Sequence, residues 1–76
     1  MRPEKHSLTL RGHRTSVSLE TQFWKAFQEI AISNGQTING LAAQIDEARE
    51  PDTGLATAIR AYVLTWYQDR VETPEA

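Results

Sequence analysis

The 76-residue chain contains no cysteine, only two histidines and no long apolar run. Without cysteine there can be no disulfide framework, thiolate metal site or thiol nucleophile. The two imidazoles, His6 and His13, lie seven positions apart without an acidic or sulfur partner at ligand spacing, so no metal is expected. No segment approaches the length of a membrane span, and the N-terminus lacks the apolar core of a signal peptide; the expectation is a cytoplasmic protein that does not enter membranes. A Gly-rich phosphate loop is also missing, as is any pair of acids placed to converge with a histidine. Catalytic residues and cofactors are therefore not expected, and the chain does not read as an enzyme.

What remains is one small domain. A lone domain of about 60 residues buries only about 60% of its unfolded surface, and small chains compensate with disulfides, metals or oligomerisation. The first two are excluded here, and apolar residues make up 39% of the chain, so completion of the core by a second copy is expected. The net charge of −2 hides an uneven distribution. Residues 1–19 carry Arg2, Lys5, Arg11 and Arg14 against Glu4 alone, a local balance of +3. Residues 26–76 carry Arg49, Arg60 and Arg70 against eight acids, a balance of −5. A basic N-terminal segment on an acidic body would orient itself on a polyanion.

Arg14-Thr15-Ser16-Val17-Ser18-Leu19 alternates polar and apolar residues strictly, as a half-buried strand does. Ser7-Leu8-Thr9-Leu10 alternates too, but with its leucines on even positions where Val17 and Leu19 occupy odd ones. Gly12 lies between them, where a bulge or a tight turn would change the phase, so residues 7–11 either extend a bulged ribbon or fold back as a small hairpin. Residues 1–6 read as a mobile basic arm. No internal repeat stands out.

Three helical patterns follow. The first runs from about 21 to 34, with Phe23, Phe27, Ile30 and Ala31 on one face, and stops at Asn34-Gly35. The second runs from about 37 to 49, opened by Thr37 as N-cap, with Ile38, Leu41, Ala42 and Ile45 on its apolar stripe, and ends before Pro51. A loop over 50–54 leads to a third helix, about 55–71, capped by Asp52 or Thr53 and carrying Leu55, Ile59, Tyr62, Val63 and Trp66. Residues 72–76 form an acidic tail expected to fray.

The strand's polar face carries Arg14, Ser16 and Ser18. The major groove of B-DNA admits a two-stranded ribbon, and such side chains can read base edges there: arginine binds guanine in bidentate fashion, and serine donates or accepts. Thr15, Val17 and Leu19 would cover the core. The N-terminus of the second helix, with Thr37 fixing its start, offers unpaired N–H groups and the positive end of a dipole to a phosphate. Lys5, Arg11 and His13 add phosphate-contacting candidates from the basic segment. His6 and His13 are expected to face solvent or phosphate, and Trp24 and Trp66 to pack in a core or interface.

Over residues 14–45, slightly under half of the chain, the order and spacing of the strand, the helix closing at Asn34-Gly35 and the Thr37-Ile38-Asn39 helix opening resemble the Arc/MetJ-type ribbon-helix-helix family of bacterial DNA-binding proteins. The segment from Lys5 to Ser16 and the third helix resemble a short subfamily with that extra C-terminal helix. The resemblance implies a mostly α fold with a short β-ribbon, built as a ribbon-helix-helix homodimer whose antiparallel strands come from different chains. The core would span residues 7–49, with the third helix appended. It also implies base contacts from Arg14, Ser16 and Ser18, and phosphate contacts from the backbone at Thr37, Ile38 and Asn39. The function implied is a sequence-specific transcriptional regulator, such as a repressor, on double-stranded DNA. The alternatives are a protein-interaction module that lost DNA binding and docks its partner through the C-terminal helix at Trp66 and Tyr67, or the antitoxin of a toxin-antitoxin pair.

Overall fold

A computed structural model describes residues 2–71; the tail over 72–76 lies outside the described residues. Two strands, β1 (Pro3–Leu10) and β2 (His13–Glu20), precede three helices, α1 (Thr21–Ser33), α2 (Ile38–Ala48) and α3 (Leu55–Val71). The strands pair antiparallel within the chain, in a register running from Pro3 opposite Glu20 to Leu10 opposite His13. Their two-residue loop, Arg11-Gly12, has positive φ at both positions, 52° and 84°, as the type I′ hairpin turn requires.

The hairpin resolves the phase change of the sequence. In this register the even positions of β1 share a face with the odd positions of β2, so Leu8 lies on the same side as Val17 and Leu19, and all three are buried. It also corrects one expectation. Residues 3–6 are not a mobile arm but the first half of β1, because each has a pairing partner in β2. β2 is paired along one edge by β1 of its own chain, a strand partner within the chain that the family resemblance did not include.

All five elements feed one core. Leu8, Val17 and Leu19 of the hairpin meet Phe27, Ile30 and Ala31 of α1, Leu41, Ala42 and Ile45 of α2, and Ile59 and Val63 of α3. The third helix thus completes the core of its own chain. Burial of the Leu, Ile, Val and Phe side chains among them contributes roughly 1.5–3 kcal/mol each relative to exposure, which offsets chain entropy lost in ordering so few residues.

The helix ends follow local chemistry. Beyond α1, Gln36 N–H donates to the Ala31 carbonyl (2.8 Å) and Gly35 N–H to that of Ile32 (3.0 Å). This paired arrangement needs a left-handed residue, and Gly35 sits at φ 67°. Thr37 Oγ1 accepts from Gly40 N–H (2.9 Å), capping α2. Arg49 closes α2 in extended conformation, and its guanidinium ties Asp46 (2.7 Å) to the Thr53 carbonyl (2.6 Å) across the next loop. At α3 the cap differs from the expected Asp52 or Thr53. The Gly54 carbonyl accepts the first helical bond, from Ala58 (3.0 Å), which makes Gly54 the N-cap.

One long-range ion pair ties α3 to the end of the hairpin. Arg60 Nε and Nη2 donate to Glu20 Oε1 (2.9 Å) and Oε2 (3.2 Å), and Nη2 also donates to the Ser18 carbonyl (3.2 Å). The Arg60 guanidinium, helped by Glu20's own backbone N–H, holds the Glu20 carboxyl below its ordinary range.

Two outcomes test this description. Nothing lies within 4 Å of a Cβ added at Gly35, so Gly35→Ala should cost only the left-handed conformation, about 1–2 kcal/mol by denaturant titration. Gly35→Asn should recover part of the loss, and equal stability of the Ala variant would contradict the cap. Because the folded-state pKa of Glu20 is depressed, its contribution is complete above the ordinary carboxylate range and disappears as pH falls through the folded value. The Tm gap between wild type and Glu20→Gln should therefore narrow from pH 6 to pH 3; a gap independent of pH would contradict the pair.

Candidate nucleic-acid interface

Cross-strand partners share a face of a sheet, so the hairpin register decides what its outer surface displays. Thr9 lies opposite Arg14, Ser7 opposite Ser16, and Lys5 opposite Ser18. All six side chains are exposed, while the other face covers the core. The structure thus brings Arg14, Ser16 and Ser18 together, as alternation in β2 alone would do, and adds Lys5 to the same surface. Ser7 and Thr9 escaped the sequence reading. Their signal was available in the register that an Arg11-Gly12 turn imposes, but only once the turn was preferred to a bulge.

Arg11 stands at the hairpin tip, in a backbone conformation uncommon for a residue with a Cβ. Its Nη2 reaches Glu47 Oε1 at 2.8 Å, with both side chains more than half exposed. An ion pair so exposed contributes about 0–1 kcal/mol, little enough for a phosphate to compete with it. The structure does not bring His13 to this surface. It shares the opposite face with Leu10 and borders a depression formed with Thr15, Asp46, Arg49 and Leu55. His6 differs further from expectation. Its ring is half-buried and stacks on Trp24 at 3.9 Å and 3°, because its strand position faces inward beside Val17. Nε2 of His6 is buried without a hydrogen-bond partner among the described residues.

The N-terminus of α2 lies against the outer edge of β1. In a two-residue hairpin closed by Leu10 and His13, the backbone groups of Thr9 point away from β2. Asn39 Oδ1 accepts the Thr9 N–H at 3.0 Å. The side chain of Asn39 is thus committed to the hairpin, while Thr37 Oγ1 takes Gly40 N–H. The backbone N–H groups of Ile38 and Asn39, which have no carbonyl within the helix, remain at the helix end beside the ribbon.

Elsewhere, functional groups satisfy one another. Glu20 pairs with Arg60, Glu47 with Arg11, and Asp46 with Arg49, whereas Lys5 and Arg14 have no carboxylate partner among the described residues. Arg70 lies 3.6 Å over the Trp66 ring and donates to the Trp66 carbonyl. Tyr67 donates its hydroxyl to Glu29 Oε1 (3.1 Å); desolvation by burial, then this carboxylate, push its phenol pKa up. Both aromatics are half-exposed and already engaged within the chain. A shallow groove of about 440 Å³ does open between α2 and α3, over Ile45, Ala48, Ala58, Ala61 and Tyr62.

Among the described residues, no group of three His, Asp or Glu side chains could hold a metal ion, and no helix is long and apolar enough to cross a membrane. No curated protein and no solved structure matches the chain. The family model for the ribbon-helix-helix domain matches residues 3–67, from the first residue of β1 to the last turns of α3. A match over that length, on a fold with this hairpin followed by these helices, makes the chain a member of the ribbon-helix-helix domain family.

Proposed function

We propose that the chain is a non-catalytic, sequence-specific transcriptional regulator that sets the outer face of its hairpin into the major groove of double-stranded DNA. Arg14, Ser16 and Ser18 meet base edges. Arg11 at the tip and the backbone N–H groups of Thr37, Ile38 and Asn39 take flanking phosphates, and these contacts fix the register in which the bases are read. The observation that carries this reading is the division of the hairpin. One face sends Leu8, Val17 and Leu19 into the core, and the other displays six exposed residues, Lys5, Ser7, Thr9, Arg14, Ser16 and Ser18, hydroxyl-rich and cationic, without a carboxylate on Lys5 or Arg14 among the described residues. Membership of a family whose domains typically bind DNA supports it. Homodimerisation, which the family implies, would bring two copies of this polar surface to one DNA site.

The groove between α2 and α3, with Leu64 exposed on α3, favours a second reading in which a protein partner docks on the body. An antitoxin would use both surfaces.

Fluorescence anisotropy with promoter DNA, random competitor and a salt series tests the first reading. Arg14→Ala should lower affinity for the preferred site about 5–100-fold, the equivalent of one bidentate base contact at about 1–3 kcal/mol, and relax the preference. Arg11→Ala should weaken binding to all sequences and reduce the slope of log K against log salt by about 1. Unchanged binding by both variants would contradict the assigned interface.

A further inference from the structure

Three cations belong to the hairpin's outer surface and tip: Lys5 of β1, Arg14 of β2 and Arg11 in the turn between them. Lys5 and Arg14 have no carboxylate partner among the described residues, whereas Arg11 Nη2 lies 2.8 Å from Glu47 Oε1. Glu47 stands in the last turn of α2, the helix whose first N–H groups lie beside the same ribbon. The cation assigned to a phosphate is thus the one that already holds an anion of its own chain.

We propose that Glu47 is an internal competitor of the DNA phosphate: its carboxylate occupies Arg11 in the free protein and releases it when the hairpin docks, so Glu47 lowers DNA affinity without touching DNA. The proposal rests on the DNA-binding reading above and adds a control on that same site. Because Arg11 meets phosphate rather than base edges, the control acts equally on every sequence.

Three observations carry it. The first is chemical. A carboxylate and a phosphodiester offer anionic oxygens to the same guanidinium donors. A phosphate bound to the remaining donors of Arg11 would stand beside the Glu47 carboxylate, and repulsion between the two anions drives the carboxylate off. The second is exposure. The side chains of Arg11 and Glu47 are 54% and 61% exposed, so the pair is weak enough for a polyanion to displace and open enough for it to reach. The third is that both partners stand on fixed backbone. Arg11 belongs to a two-residue turn, and α2 is anchored by Leu41, Ala42 and Ile45 in the core and by Asn39 on the Thr9 N–H. The exchange therefore needs only side-chain rotation, and the reading face and the start of α2 stay in place. Asp46, the neighbouring carboxylate, is held by Arg49 at 2.7 Å and does not substitute for Glu47.

Fluorescence anisotropy of the full-length chain on promoter DNA and on random DNA tests the proposal through a double-mutant cycle of Glu47→Gln, Arg11→Ala and the two combined. Both positions are exposed, and glutamine matches glutamate in size and helix preference, so the variants should keep wild-type circular dichroism. At low salt Glu47→Gln should bind both DNAs about 2–5-fold more tightly than wild type, the size of one exposed ion pair, with the preference between them unchanged. The gain should shrink as salt rises, because an exposed pair is screened, and it should vanish in the Arg11→Ala background. A Glu47→Gln protein that binds no more tightly than wild type would overturn the proposal. So would an equal gain in the Arg11→Ala background, which would make Glu47 a plain repulsive charge. In either case, weakened binding by Arg14→Ala would leave the DNA-binding reading standing. Failure of the wild type to bind either DNA would overturn that reading, and this proposal with it.

Discussion

The fold depends on the two-residue turn at Arg11-Gly12. Positive φ at both residues gives the turn a twist that matches the twist of the strands it joins, so the chain reverses directly and β1 returns along β2. Once the loop length is set, so is the register, and a slip by one residue would move every side chain of a strand to the opposite face. In the register adopted, Leu8, Val17 and Leu19 reach the core together, and the six polar residues opposite them all remain in solvent. Core and interface are two consequences of one pairing. Strain at Arg11 is the local cost, since a non-glycine residue rarely adopts φ 52°.

The helices then serve the hairpin in distinct ways. α1 brings Trp24 against His6 and buries Phe27 beneath the strands. α2 fixes its N-terminus to the β1 edge through Asn39 and its C-terminal half to the hairpin tip through Glu47. α3 places Arg60 where it neutralises Glu20 and occupies the Ser18 carbonyl. The pairing of Glu20 matters electrostatically as well. It removes an uncompensated carboxylate from the end of a surface otherwise suited to a polyanion. An acidic protein can thus carry a cationic face, because much of its negative charge is spent on its own arginines or kept on the helical body.

Much of this was legible in the sequence wherever a local rule governed. The alternation of β2, the 3.6-residue stripes of the helices, the glycine stop at Gly35 and the Thr37 cap are all short-range features. The break in phase around Gly12 was also visible, but a bulge and a turn both satisfy it, and the choice depends on whether leucines at 8 and 10 gain more by joining Val17 and Leu19. That is a matter of tertiary packing. For the same reason Lys5 was assigned to an arm, and Ser7 and Thr9 went unnoticed. Their shared pattern with Arg14, Ser16 and Ser18 is too short to register as a repeat until the pairing aligns the two strands. Contacts between residues 30 or more apart, such as Asn39 with Thr9 and Arg60 with Glu20, left no trace in local spacing. His6 was misplaced because residue type suggested solvent where strand parity points inward, whereas His13 is exposed as expected but lies on the face opposite Arg14, Ser16 and Ser18.

The central claim is that one chain closes its own ribbon. Facing residues outside the hydrogen-bonded pairs of an antiparallel ladder have Cα atoms only about 4.5 Å apart, so the Hα protons of Ser7 and Ser16, and of Lys5 and Ser18, give strong cross-strand nuclear Overhauser effects. An isotope-filtered spectrum of an equimolar mixture of carbon-13-labelled and unlabelled chains separates contacts within a chain from contacts between chains. The account requires these signals in the spectrum of the uniformly labelled protein and their absence from the filtered, inter-chain spectrum. Their appearance between chains would contradict it.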